Sequence, residues 1–129
     1  MKRLKDRFKV PCHQAFDDLE DLLQNRILIM DGGMGTMLQR HKLEESDFRG
    51  DRFKDHPGQL KGNNDLLSLT RPDIIRDIHR TYFEAGSDIV ETNSFSSTQI
   101  SMADYQMEDL VDELNETSAR LAKEAAQLV

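Results

Sequence analysis

The 129-residue sequence has no tryptophan, three prolines and a single cysteine, Cys12. One cysteine cannot close an intrachain disulfide, and it cannot alone furnish a structural zinc site, which takes about four ligands. This is the cysteine usage of a reduced, cytoplasmic protein. No apolar run approaches the roughly 20 residues that span a bilayer. The N-terminus, MKRLKDRFKV, is basic but lacks the apolar stretch of a secretory signal, and acidic residues follow too soon for a transit peptide. Seventeen basic residues against 24 acidic ones leave a net charge of −7, the reverse of the basic face that nucleic-acid binders present. The four histidines, His13, His41, His56 and His79, show no pair at metal-ligand spacing, and His79 falls at a partly exposed position of its helix. A single-domain, soluble globular chain that binds neither membrane nor nucleic acid is what remains.

Local patterns suggest an alternation of strands and helices. Phe16, Leu19, Leu22 and Leu23 recur at helical spacing, so residues 14–25 read as a short amphipathic helix. Ile27-Leu28-Ile29-Met30 is a continuous apolar run of the length expected for a strand buried on both faces of a parallel sheet. A short helical stretch, Thr36 to Arg40, follows. Residues 41–69 are polar, carry little periodicity and read as one long connection, of a length that in compact domains is often functional. Thr70 and Asp73 have capping-box spacing, with Pro72 in the first turn and Ile74, Ile75, Ile78 and Tyr82 as an apolar stripe. Gly86 sits where a left-handed cap belongs. Asp88 to Asn93 reads as a second strand, residues 94–106 as a polar connection with one helical turn, and Glu108 onward as a longer helix running to Val129. That last helix should bury Leu110, Leu114, Leu121, Ala125 and Leu128.

The sharpest chemical feature is Asp31-Gly32-Gly33-Met34-Gly35-Thr36 at the end of the first apolar run. Glycines there allow a ligand close to the backbone and free N–H groups to meet it, and a carboxylate beside them can receive an amine. A dinucleotide fingerprint fails, because the third glycine position after Gly33 and Gly35 is Leu38, and no Gly-Lys-Ser/Thr follows for a phosphate loop. Read as structure alone, the segment is a tight turn with a capping Asp. Glu91-Thr92-Asn93-Ser94 is a second polar cluster, equally able to cap its own turn.

Taken together, ILIMDGGMGTMLQ, DFRGDRF, LKGNNDLLSLTRPDII, HRTYFEAGSDIVETNSFSST and MADYQ resemble the start of the homocysteine-binding domain of cobalamin-dependent methionine synthases. The resemblance covers roughly residues 20–127. It implies an α/β chain: the first two βα units of an incomplete (β/α)8 TIM barrel, residues 26–129, behind an N-terminal extension and helix over residues 1–25. It implies a methyltransferase that moves a methyl group from methylcobalamin, recharged by methyltetrahydrofolate, to homocysteine in methionine biosynthesis. Homocysteine is then the small-molecule substrate, and the partners are the rest of the barrel with the cobalamin and folate domains. Asp31 matches the carboxylate that meets the homocysteine amino group, and Gly32 and Gly33 match the neighbouring backbone contacts. Thr92, Asn93 and Ser94 fall at the site's rim, while Asn63 and Asn64 match the pattern without an assigned task.

Zinc and cobalamin are cofactors of the full-length family. The resemblance implies that the family's zinc cysteines lie on later strands, beyond Val129, and Cys12 matches none of them. No catalytic or metal-ligating residue is therefore expected among these 129, and no cofactor is expected on the chain alone. Two functional readings follow: a homocysteine methyltransferase fragment inactive by itself, or a split-gene subunit or interaction module completed by a partner chain. In either case uncovered sheet edges should make the isolated chain aggregation-prone.

Overall fold

A computed structural model describes residues 14–129. Cys12 and His13, with the basic segment before them, lie outside the described residues. The helices are α1 (Gln14–Asn25), α2 (Met34–Gln39), α3 (Glu45–Arg49), α4 (Leu67–Thr70), α5 (Pro72–Glu84), α6 (Gln99–Ala103) and α7 (Val111–Ala126). Single 3-10 turns, Asn64–Leu66 and Glu108–Leu110, lead into α4 and α7.

The expected α/β architecture is overturned. Among the described residues there is no strand and no sheet, and so no βα unit of a barrel; the chain is helical. The two segments read as strands meet in one isolated parallel bridge, Met30 with Ile89. The physical reason lies in what surrounds them. A parallel pair persists as sheet when further strands and helices cover its edges and faces. Here the run expected to be buried on both sides is open, with Ile27 86%, Ile29 58% and Met30 53% exposed.

The bridge is nevertheless well tied. Asp31 N–H donates to the Ile89 carbonyl at 2.9 Å, and Asp88 and Ile89 N–H both donate to the Ile29 carbonyl at 2.8 and 3.2 Å. The Arg26 guanidinium grips the Asp88 carboxylate with two hydrogen bonds of 2.8 and 2.7 Å, and Ile29 N–H adds a third to the same carboxylate at 3.0 Å. These contacts, led by the Arg26 hydrogen bond, hold the Asp88 pKa down at about 2.

The core lies between α5 and α7. Ile74, Ile75 and Ile78 of α5 and Leu114, Leu121 and Ala125 of α7 are buried, as their spacing predicts. Leu60, Leu66 and Leu67 fill in from the preceding segment, and Met102 and Met107 from α6 and the connection after it. Burying each such large side chain is worth about 1.5–3 kcal/mol relative to exposure. The last helix stops at Ala126 rather than running to Val129. Leu110 is half-buried, while Leu128 and Val129 are each 61% exposed, so the buried stripe ends one turn before expected. On α1 the stripe faces outward at Leu22 and Leu23.

His79 departs most from its sequence reading. It is fully buried on the inner side of α5, not partly exposed. The N-terminal cap of α5 also differs: Arg71 occupies the cap position and no side chain caps the helix. Thr70 Oγ1 donates backward to the Leu66 carbonyl at 3.4 Å, and Asp73 pairs with Arg71. A capping box does occur at α3, where Glu44 and Asp47 reciprocate. At the far end of α5, Gly86 takes φ +102°, the left-handed cap that its position suggested.

Residues 41–69 are ordered by charged side chains that satisfy backbone groups. The Glu45 carboxylate accepts Leu60 and Lys61 N–H at 2.8 and 2.6 Å. Arg49 donates to the carbonyls of His56 and Gly58, both at 2.7 Å, and pairs with Glu45 at 2.8 Å. The loop thereby delivers Leu60 to the core and the run Gly62 to Asp65 to the site described next.

Candidate functional site

The bridge sets Asp31 and Glu91 side by side at the ends of the two extended segments. A cavity of about 780 Å³ opens there. Its wall is built from the Asp31–Gly35 turn, the Gly62–Asp65 run, Glu91 to Asn93, and Ser101, Asp104 and Tyr105 from α6 and the turn after it. Asp31, Gly32, Gly33, Thr92 and Asn93 all line it, whereas Ser94 does not. Asp31, Asp65, Glu91 and Asp104 stand in the wall, and among the described residues no Lys, Arg or His lines it. Such a lining favours a ligand that presents a cation.

Asp31 is divided between two tasks. Its Oδ2 accepts Glu91 N–H at 3.1 Å, which anchors the carboxylate across the bridge. Its Oδ1 is buried and has no hydrogen-bond partner among the described residues. A buried carboxylate oxygen without a donor is costly, and a donor brought by a ligand relieves that cost. The N–H groups of Gly32 and Gly33 likewise make no hydrogen bond among the described residues. The turn therefore offers an acceptor and donors side by side.

Asn93 is committed inward. Its Nδ2 donates to the Asn64 carbonyl at 2.9 Å and to Ser68 Oγ at 3.0 Å. Ser118 of α7 donates to the Asn93 carbonyl at 2.9 Å and lies 3.0 Å from Ser68 Oγ. Asn93, Ser68 and Ser118 are all buried. Both donors of the Asn93 amide thus pin the wall to the 3-10 turn at Asn64 and to α4, and its backbone carbonyl ties it to α7. Thr92 Oγ1 and Ser94 Oγ pair with each other at 2.7 Å.

Asn63 and Asn64, whose task the sequence left open, acquire one through their neighbour. Asp65 Oδ2 accepts Ser96 N–H at 2.7 Å and Ser97 O–H at 2.8 Å. Burial pushes the Asp65 carboxyl pKa up, against those two hydrogen bonds. Asn63 Oδ1 caps the turn at Leu66 N–H, and its Nδ2 contacts Met102 Sδ at 3.6 Å. The run Asn63-Asn64-Asp65 is a bracket that holds the segment 93–97 against α4 and α6. The only hint of this in the sequence is three polar side chains set against the apolar Leu66-Leu67 pair.

Among the described residues, which run to Val129, no group of three His, Cys, Asp or Glu could hold a metal ion. With Cys12 as the only cysteine in the sequence, the donors present do not fit a zinc held by several thiolates.

A polar cavity with an acidic wall, a glycine turn and one unpaired carboxylate oxygen has the chemistry of a binding site for a small amine-bearing molecule. The sequence model of the homocysteine S-methyltransferase family matches residues 28–129. The chain belongs to the homocysteine S-methyltransferase family, whose members transfer a methyl group to homocysteine, an amino acid that bears such an amine. None of the helices among the described residues is long and apolar enough to cross a membrane.

Proposed function

We propose that this chain supplies the amino-acid-recognition part of a homocysteine S-methyltransferase of the cobalamin-dependent methionine synthase type. Asp31 receives the substrate ammonium on Oδ1, and Gly32 and Gly33 offer N–H groups beside it. Thr92 and Asn93 shape the rim, Asn93 from within the wall, and Ser94 supports Thr92 from outside the cavity. The observation that carries the reading is the buried Asp31 Oδ1, without a partner among the described residues, in a cavity whose described lining carries four acidic residues and no basic side chain. In the resembled family a zinc ion lowers the thiol pKa and methylcobalamin supplies the methyl group. The residues here bind and orient the substrate, and the 129-residue chain on its own produces no methionine from homocysteine and methylcobalamin.

Calorimetry tests the recognition step. L-homocysteine should bind the chain, and 4-mercaptobutyrate, which lacks the amine, should not. Asp31→Asn should weaken homocysteine about ten- to a hundredfold, the range for a lost hydrogen bond to a charged group. Equal affinity for the amine and its deaminated analogue would refute the reading.

A second reading is favoured by the open apolar side chains Ile27, Ile29 and Met30. In it the chain is a split subunit or non-catalytic module completed by a partner chain. Measured methionine formation on adding a chain with the thiolate ligands would support the split subunit.

A further inference from the structure

Gly32 is a glycine without a backbone reason of its own. The left-handed glycines are Gly50, Gly62 and Gly86, and Gly32 is not among them. Its constraint is space. A Cβ built on Gly32 would lie 3.0 Å from Tyr82 Oη, 3.4 Å from Tyr82 Cε1 and 3.5 Å from Cζ. The same hydroxyl donates to the Gly33 carbonyl at 3.3 Å. Tyr82 stands on α5, whose inner face is core. One aromatic side chain thus lies against both glycines that follow Asp31 and links their turn to the most firmly packed part of the fold.

We propose that Tyr82 is a positioning residue for the binding site: its ring and hydroxyl fix the Gly32-Gly33 turn, and through it the Asp31 carboxyl, at the cavity wall. Gly32 is then the complement of Tyr82, small because the tyrosine oxygen occupies the place of a side chain. The turn is otherwise held by the Asp31 N–H bond to Ile89 and the Glu91 N–H bond to Asp31 Oδ2, both across the bridge, and by the Met37 N–H bond from α2 to the Gly33 carbonyl at 3.4 Å. Tyr82 is the contact that constrains it from α5. The inference rests on the recognition role proposed for Asp31, though its geometric part does not need a ligand.

The test uses the full chain as Tyr82→Phe, Gly32→Ala and the double variant. Tyr82→Phe removes one oxygen and keeps the ring, so helix packing is preserved. Without ligand, the amide signals of Gly33 and Glu91 in nitrogen–proton spectra should move in Tyr82→Phe while α7 signals stay in place. With L-homocysteine, Tyr82→Phe should weaken affinity about two- to tenfold, the range of one neutral hydrogen bond. Gly32→Ala should weaken it more in the parent chain than in the Tyr82→Phe background, because the double variant lacks the oxygen 3.0 Å from the added methyl. Equal Gly32→Ala effects in the two backgrounds, or unchanged Gly33 and Glu91 signals in Tyr82→Phe, would overturn the proposal. If the parent chain binds no homocysteine, the recognition reading fails, and the ligand-free signals still decide the role of Tyr82.

Discussion

His79→Leu should leave the chain about as stable as before or more so near neutral pH, and should remove a loss of stability on mild acidification. His79 is fully buried, and both ring nitrogens lack a hydrogen-bond partner among the described residues. A neutral imidazole carries one N–H donor and one acceptor nitrogen, and leaving a buried donor unmade costs about 1–3 kcal/mol. Leucine removes that cost, while its different shape takes back up to about 1.5 kcal/mol. The net change at about pH 7.5 therefore lies between about 0.5 kcal/mol lost and about 3 kcal/mol gained.

The pH effect follows from burial, which pushes the His79 pKa below its ordinary 6.5. Below that value the unfolded chain takes up a proton that the folded chain refuses. Stability is therefore complete above 6.5 and falls as pH drops through it, by up to about 1.4 kcal/mol per pH unit, until the folded-state pKa is reached. Urea denaturation at about pH 7.5 and about pH 5.5 reads both effects. A His79→Leu chain that loses as much stability on acidification as the parent, or that is destabilised by more than about 2 kcal/mol at neutral pH, would refute the argument.

Two further perturbations probe what holds the site in place. Asp88 is kept at about 2 chiefly by Arg26 and Ile29 N–H, against an ordinary 3.8, so its clamp is complete above about 4 and is lost as pH falls toward 2. Asp88→Asn should abolish an acid-induced shift of the Ile29 amide signal across that window. Ser118→Ala removes a buried hydroxyl that serves Ser68 and the Asn93 carbonyl. It should cost about 1–3 kcal/mol in denaturant unfolding and weaken homocysteine affinity, whereas Ser101→Ala, elsewhere on the cavity wall, should alter stability by no more than about 0.5 kcal/mol.

The helices were legible where periodicity and punctuation coincide. Ile74, Ile75 and Ile78 mark the inner face of α5, Gly86 marks its end, and Leu114, Leu121 and Ala125 mark α7. The end of α7 was less legible, because no glycine or proline between Ala126 and Val129 signals a stop. His79 was misread because a polar residue on an apolar stripe is ordinarily assigned to the boundary. Its burial is a matter of tertiary packing, which periodicity within α5 does not show. The apolar run Ile27 to Met30 was read as a buried strand, but sheet is a property of neighbours. With one bridge partner the run stays extended and open.

The site shows the same division. Asp31 and its glycines are readable as a motif, because their chemistry is local and contiguous. Tyr82, Ser68 and Ser118 act on the site from helices, where the sequence presents them as one more stripe or surface position. Asn63 and Asn64 stood out without a role, since the role arises only when Asp65 meets Ser96 and Ser97.

The central claim is that Asp31 receives the amine of homocysteine. The most direct measurement is the carbon shift of the Asp31 side-chain carboxyl during titration with L-homocysteine under reducing conditions. It should change in step with binding and stay fixed with 4-mercaptobutyrate. Saturable homocysteine binding that leaves the Asp31 carboxyl unmoved, or that survives unchanged in Asp31→Asn, would contradict the account.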